Sequence, residues 1–140
     1  MRKPSPTELR EELRSRGLRA TSSRVAVLEL LSVTDRPVSH AEVCAKLATS
    51  FDPATLYRNL VDFVDVQLVR RADVGDHVWR FALVRVGHDA AAHPHFVCTG
   101  CGVMQCLPTM EVRGPAAKAP RSVKRRDVEV HVRGLCDACG

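Results

Sequence analysis

Residues 93–102 read HPHFVCTGCG, and residues 136–140 read CDACG. The first stretch sets His93, His95, Cys98 and Cys101 close together, and the second adds Cys136 and Cys139. Each cysteine pair is a CxxC followed by glycine, Gly102 in the first and Gly140 in the second. Two thiolates at that spacing form a compact clamp, and two clamps supply the four sulfur ligands of a tetrahedral zinc ion. The trailing glycines permit a tight turn in which backbone N–H groups point at sulfur. A site closed by four thiolates leaves no position for a substrate, so Cys98, Cys101, Cys136 and Cys139 are expected to hold a structural zinc. That ion would tie two distant parts of the chain together and stabilise a small domain. The alternatives are two redox-active CxxC pairs, or four unrelated buried thiols.

The 140 residues suffice for one ordinary domain or two small ones. Hydrophobic residues make up 45% and aromatics 4%, so the core should be aliphatic. The net charge is +5, and arginine dominates the bases, 17 against 4 lysines. Arginine's planar fork suits phosphates and base edges, so an anionic partner is suggested. No apolar run approaches the ~20 residues of a membrane span, and no secretory h-region opens the sequence. The expected location is the cytoplasm, where thiols stay reduced and six cysteines serve metal better than disulfides.

The elements that must position these residues are signalled locally. Ser5-Pro6-Thr7-Glu8 is a capping box with proline at the first helical position, Leu9 and Leu13 form the buried stripe, and Gly17 stops the helix. Thr21 caps a second helix over 22–31 that buries Val25, Leu28 and Leu31, and Asp35-Arg36-Pro37 breaks it. Ser39-His40-Ala41-Glu42 is another capping box, with Val43 and Leu47 inward. Asp52-Pro53 caps the helix PATLYRNLVDFVDVQL, with Leu56, Leu60, Phe63 and Val64 toward the core. The period then changes to that of a β-hairpin: LVRRA, the turn DVGD, and HVWRFAL. This is the order of a winged helix-turn-helix. Residues 84–92 read as a linker, and beyond it HFVC, GVMQCL and DVEVHV read as strands. Prolines 108, 115 and 120 with Gly114 keep any helix between them short. The fold class is therefore α+β. A winged-helix domain spans 1–83, and a small α/β domain with the four-cysteine site spans 93–140.

In that frame Thr55, Tyr57 and Arg58 occupy the first turns of the recognition helix. A tyrosine ring can press on a thymine methyl, and an arginine can take guanine or phosphate. Arg19 can reach a phosphate or the minor groove. Arg24 and the wing residues Arg70, Arg71 and Arg80 can contact phosphates. The bland alternative is a set of solvated surface arginines.

Taken together, GLRATSSRVAVLELL (17–31), VSHAEVCAKL (38–47), PATLYRNL (53–60), HPHFVCTGCG and GLCDACG make the chain resemble the ferric uptake regulator family. The resemblance implies a homodimeric, metal-responsive repressor that binds a palindromic DNA operator. In it Tyr57 and Arg58 would read DNA, Arg19 would enter the minor groove, and residues 93–140 would form the dimerisation domain. Cys98, Cys101, Cys136 and Cys139 would hold structural zinc. A metal would close the dimer so that both winged helices fit the operator.

The chain departs from the family at the sensing site. The histidine before the third helix is Pro37, the wing-strand acid is Ala82, and the acid five residues past the second cysteine is Cys106. Residues flanking the HxH pair are also changed, to Ala92 and Pro94. His93 and His95 remain, and residues i and i+2 of a strand share a face. Cys106 and His88 can complete a four-ligand site with them, and imidazole plus thiolate favours zinc over iron or manganese. His40, His77 and His131 can join only through folding; each alone is more simply a structural or exposed residue. Cys44 reads as a small buried residue, and Cys106 can alternatively be a redox switch. Two rivals stay open: a regulator of the same fold that has lost metal sensing, and a zinc-stapled protein-interaction module. No acid–base–nucleophile constellation is visible, so no enzyme activity is expected.

Overall fold

The computed structural model describes residues 2–47, 49–84, 94–111, 113, 118–124 and 128–140. The chain divides into two units, Met1–Arg85 and Val86–Gly140. Among the described residues no helix is long and apolar enough to cross a membrane.

The first unit is a winged helix. Helix α1, Pro6–Ser15, opens on the expected box: the Glu8 amide donates to Ser5 Oγ at 3.2 Å and the Ser5 amide to Glu8 Oε2 at 2.7 Å. These bonds favour the charged carboxylate; the Ser5 amide, with the Ser5 hydroxyl and Arg2, holds the Glu8 carboxyl below its ordinary range. Gly17, at φ 79, ends α1 in the left-handed region, and the Leu18 amide returns to the Leu13 carbonyl. Helix α2, Ser22–Val33, is capped by Thr21 and runs past Leu31. It buries Val27 with Leu28 and Leu31, while Val25 is only half-buried. Helix α3, His40–Leu47, carries the Ser39–Glu42 box.

Helix α4, Pro53–Asp65, is capped by the Asp52 carboxylate, which accepts from the Ala54 and Thr55 amides at 3.1 and 3.3 Å. It ends before Gln67, three residues short of the Leu68 expected from periodicity. Gln67 adopts φ 59, and the Leu68 amide donates to the Phe63 carbonyl at 2.9 Å. This is the glycine-type helix stop made by a glutamine, which composition alone does not announce. Leu56, Leu60 and Phe63 are fully buried against Leu13, Leu28 and Val43, and each such side chain contributes about 1.5–3 kcal/mol of transfer free energy.

The wing is three-stranded. Strands β2, Val69–Ala72, and β3, Arg80–Leu83, form the expected antiparallel hairpin. A two-residue strand β1, Val38–Ser39, adds to the far edge of β3, giving the order β1-β3-β2. The strand expected from His77 begins only at Arg80, because Gly75 (φ 79) and His77 (φ 61) turn the chain.

In the second unit β4, His95–Cys98, is the central strand. It pairs antiparallel with β5, Met104–Cys106, and parallel with β6, His131–Gly134. The one-turn helix α5, Arg121–Lys124, lies on the connection that a parallel pair requires. Strand β6 starts later than the DVEVHV stretch suggested. The expected linker beyond Val84 and the Gly114-Pro115 break lie outside the described residues.

Candidate functional site

The four cysteines converge. Their sulfur atoms all lie within 4.8 Å of one another, and Cys101 Sγ and Cys136 Sγ are 3.7 Å apart. A tetrahedron with Zn–S bonds of about 2.3 Å has sulfur–sulfur edges of about 3.8 Å. The donor set and its spacing therefore fit a zinc ion.

Two elements build this convergence. Strand β4 ends at Cys98, which is 2% exposed, and Gly102 (φ 76) turns the chain back so that its amide donates to the Cys98 carbonyl at 3.0 Å. Parallel pairing then sets Gly134 of β6 opposite Cys98, and the Thr99 amide donates to the Gly134 carbonyl at 2.8 Å. The second CxxC follows immediately, so it arrives beside the first. The close approach depends on Gly100: a Cβ there would lie 3.2 Å from both Cβ and Sγ of Cys139. The trailing Gly102 serves the turn as expected, whereas the importance of Gly100 emerges only from the packing of the two knuckles.

The thiols are electrostatically unequal. The Cys101, Cys136 and Gly100 amides donate to Cys98 Sγ at 3.4, 3.3 and 3.3 Å, and these bonds hold its thiol down to about 6. Crowding by the sulfurs of Cys136, Cys101 and Cys98 pushes Cys139 up to about 12. Four thiolates in so small a volume repel one another, and a divalent cation is what reverses that repulsion.

Strand β4 carries a second set of ligand-type side chains at its other end and on its other face. His95, 9% exposed, stands opposite Cys106 of β5 and beside His131 of β6. His93 and His88 lie outside the described residues. His131 has no motif to mark it in sequence; only the parallel pairing brings it here.

The face expected to meet DNA lies on α4. Tyr57 is 42% exposed and Arg58 is exposed, while Thr55 is half-buried at the capped start of the helix. Arg19 is exposed just before α2. Arg24 is not a free surface cation: its guanidinium donates to Asp62 Oδ2 and to the Arg19 carbonyl, both at 3.0 Å. It braces α2 against α4 and holds the backbone at Arg19. Arg80 corrects the wing expectation more sharply. It is 1% exposed and grips the Asp76 carboxylate at 2.9 and 3.1 Å, so it stabilises the wing turn instead of meeting solvent. Arg71 stays exposed and stacks 4.5 Å from the Trp79 ring.

His40 has a part in this face that its sequence position did not reveal. Its Nε2 donates to the Pro53 carbonyl at 2.8 Å and lies 3.2 Å from Cys44 Sγ, and its ring meets the Tyr57 ring edge-on. Cys44 is half-buried and packs against the core of the first unit. The only available hint was the i,i+4 spacing of His40 and Cys44 on one helix.

Comparison with known proteins agrees with this architecture. The model described as the ferric uptake regulator family matches residues 15–133. The peroxide-responsive repressor PerR of Staphylococcus saprophyticus is 32% identical over 95 residues, 64% of this chain and 60% of that repressor. The chain thus spans less than two thirds of that relative's length. Among solved structures, the Vibrio cholerae ferric uptake regulator is similar with a TM-score of 0.66 at 24% identity, over 90% of this chain and 98% of that one. A zinc-bound manganese uptake regulator is similar with a TM-score of 0.64 at 22% identity, over 94% of this chain and 100% of that one. At these identities the likeness is one of fold. A family match that covers most of the chain, on a winged helix followed by a four-cysteine cluster, makes this protein a member of the ferric uptake regulator family.

Proposed function

We propose that this protein is a sequence-specific DNA-binding repressor that acts as a homodimer and answers to a metal ion, zinc. The observation that carries the reading is a winged helix presenting Tyr57 and Arg58 on α4, in one chain with four converging thiols. Cys98, Cys101, Cys136 and Cys139 would hold a structural zinc, which supplies cross-linking and no catalysis. Tyr57 and Arg58 would read base edges, with Thr55 beside them and Arg19 at a phosphate or the minor groove. Arg24 supports them by bracing α2 on α4.

Regulation needs a second metal that binds the DNA-fitting arrangement of the dimer better than the others, which shifts the population toward it. His95 and Cys106 are the described members of the expected sensing set of His93, His95, Cys106 and His88. The names of similar proteins refer to peroxide, iron and manganese, so family membership leaves the metal open. Zinc is favoured here because an imidazole–thiolate set prefers it. Pro37 and Ala82, where the family has a histidine and an acid, support a second reading in which sensing has been lost.

The test is a titration of zinc, iron(II) and manganese(II) into protein already holding its structural zinc. Its readout is affinity for duplexes selected from a random library. Tightening by zinc is expected. Affinity indifferent to all three metals would establish the second reading, and failure to select any duplex would overturn the DNA-binding one.

A further inference from the structure

We infer that Asn59 is a positioning residue for DNA reading: from inside the first unit it ties α4, which carries Tyr57 and Arg58, to the cap of α2, beside which Arg19 stands. This rests on the DNA-binding reading above and names what holds two of its contact points in one geometry. The link is a chain of hydrogen bonds. Asn59 Nδ2 donates to Ser23 Oγ at 3.0 Å, and Ser23 Oγ lies 3.3 Å from Thr21 Oγ1. The Asn59 amide fills an acceptor site of Ser23, which leaves the Ser23 hydroxyl hydrogen for Thr21. Thr21 Oγ1 then accepts twice, from Ser23 and from the Arg24 amide at 3.3 Å, the bond that caps α2. The Thr21 amide in turn donates to the Arg19 carbonyl at 3.0 Å.

Asn59 occupies a place where an apolar side chain would stabilise more. It stands three residues after Leu56 and four before Phe63, on the stripe that α4 buries, and is itself 5% exposed. Its partner Ser23 is 9% exposed. A neutral buried hydrogen bond contributes less, net, than burial of a leucine-sized side chain. What the amide adds is direction. Apolar contact is non-directional, so it constrains the rotation of one helix on another less sharply than a bond between two named atoms.

A second link lies about one turn along α4, where Arg24 joins Asp62 to the Arg19 carbonyl. That pair is half-buried and open to screening by salt, whereas the Asn59 link is buried and neutral. One link leaves rotation about itself; two links at successive turns fix the orientation of α4 on the start of α2. The consequence falls on DNA. Arg19 and the Tyr57–Arg58 pair must reach one duplex together, and any freedom between them is lost on binding, at a cost in affinity. Base-edge contacts depend on that geometry, whereas attraction between arginines and phosphates tolerates displacement.

The experiment uses full-length protein with its structural zinc in place, a duplex selected from a random library, and an unrelated duplex of the same length. Asn59→Leu should unfold at the parent's temperature or above. Its affinity for the selected duplex should fall about tenfold, with affinity for the unrelated duplex unchanged. Ser23→Ala cuts the same link by removing one oxygen, so it tests the link even where leucine crowds position 59, and it should lose the same discrimination. The double variant should lose no more than either single one, because both cut one chain. In an Arg19→Ala background Asn59→Leu should cost less than about twofold, since nothing is left to place. Selected-duplex affinity unchanged in both single variants overturns the proposal. So does an equal loss on both duplexes, or a loss that follows the unfolding temperature, either of which makes Asn59 a folding residue only. The DNA-binding reading fails separately. It falls, and this proposal with it, if the parent selects no duplex; it stands alone if the parent discriminates and the variants discriminate equally well.

Discussion

The His40 imidazole stands edge-on to the Tyr57 ring, with centroids 5.3 Å apart and planes at 70°, while its Nε2 donates to the Pro53 carbonyl. One side chain at the start of α3 therefore grips both the first turn of α4 and the aromatic ring that α4 exposes. An edge-to-face pair contributes about 1 kcal/mol beyond area burial. The contact limits the directions in which Tyr57 can point, and under the proposed DNA-binding function that would lower the ordering cost of binding.

His40→Ala should accordingly weaken binding to a selected duplex about fivefold, the equivalent of about 1 kcal/mol. Binding to unrelated DNA should be unchanged, since Tyr57 carries no charge. His40→Phe keeps a ring edge but not the hydrogen bond and should fall between the two. Fluorescence anisotropy on matched and unrelated duplexes checks this; equal losses on both would mean that His40 acts only on folding.

The close packing at Gly100 makes a stereochemical prediction. A Cβ 3.2 Å from Cβ and Sγ of Cys139 must push the second knuckle aside by a few tenths of an ångström. Gly100→Ala should therefore release zinc to a chelator faster than the parent protein, and Cys136→Ser should lower zinc content from about one per chain to near none, with loss of the second unit's thermal transition. Gly17→Ala is the contrast. Nothing lies within 4 Å of the added carbon, yet φ 79 costs about 1 kcal/mol of stability with zinc retention untouched.

The wing turn should show a definite acid sensitivity. The Arg80 guanidinium, with the Val78 amide, holds the Asp76 carboxyl below its ordinary value of 3.8. A carboxyl depressed in the folded state contributes stability that is fully present above its unfolded pKa. That stability is lost as pH falls through the lower folded value. Asp76→Ala should thus cost about 3 kcal/mol at neutral pH, because it removes the carboxylate that the buried Arg80 guanidinium grips. It should also flatten the acid limb of the stability curve below about pH 4. Denaturant unfolding at pH 7 and pH 3 measures both effects; an equal loss at the two pH values would refute the linkage.

Salt dependence separates positioning from readout among the arginines. Arg19→Ala should reduce the slope of log affinity against log salt by about 1 if Arg19 meets a phosphate. Arg80→Ala should leave that slope unchanged while destabilising the protein, since Arg80 is buried on Asp76. A smaller slope in the Arg80 variant would return that residue to the DNA surface.

Much of this protein is legible in the sequence because the relevant physics is local. Ser5 with Glu8, Ser39 with Glu42 and Asp52 with Pro53 place three helix starts, since a cap joins amides only two or three residues away. The two CxxC-Gly pairs announce a four-thiolate cluster because each half is complete within five residues. The placement of Tyr57 and Arg58 on the first turns of α4 is legible for the same reason: they follow a cap at helical spacing. Tertiary structure decided what depends on partners far along the chain. Arg80 looked like any wing arginine until the turn folded Asp76 onto it. Helix α4 stops at a left-handed Gln67, where no glycine marks the end. His131 joins His95 only because β6 pairs parallel to β4, and a parallel pair needs a crossover that leaves no local trace of its register. Periodicity tells which face a residue takes along its own strand, and the pairing of strands decides which ligand stands beside it.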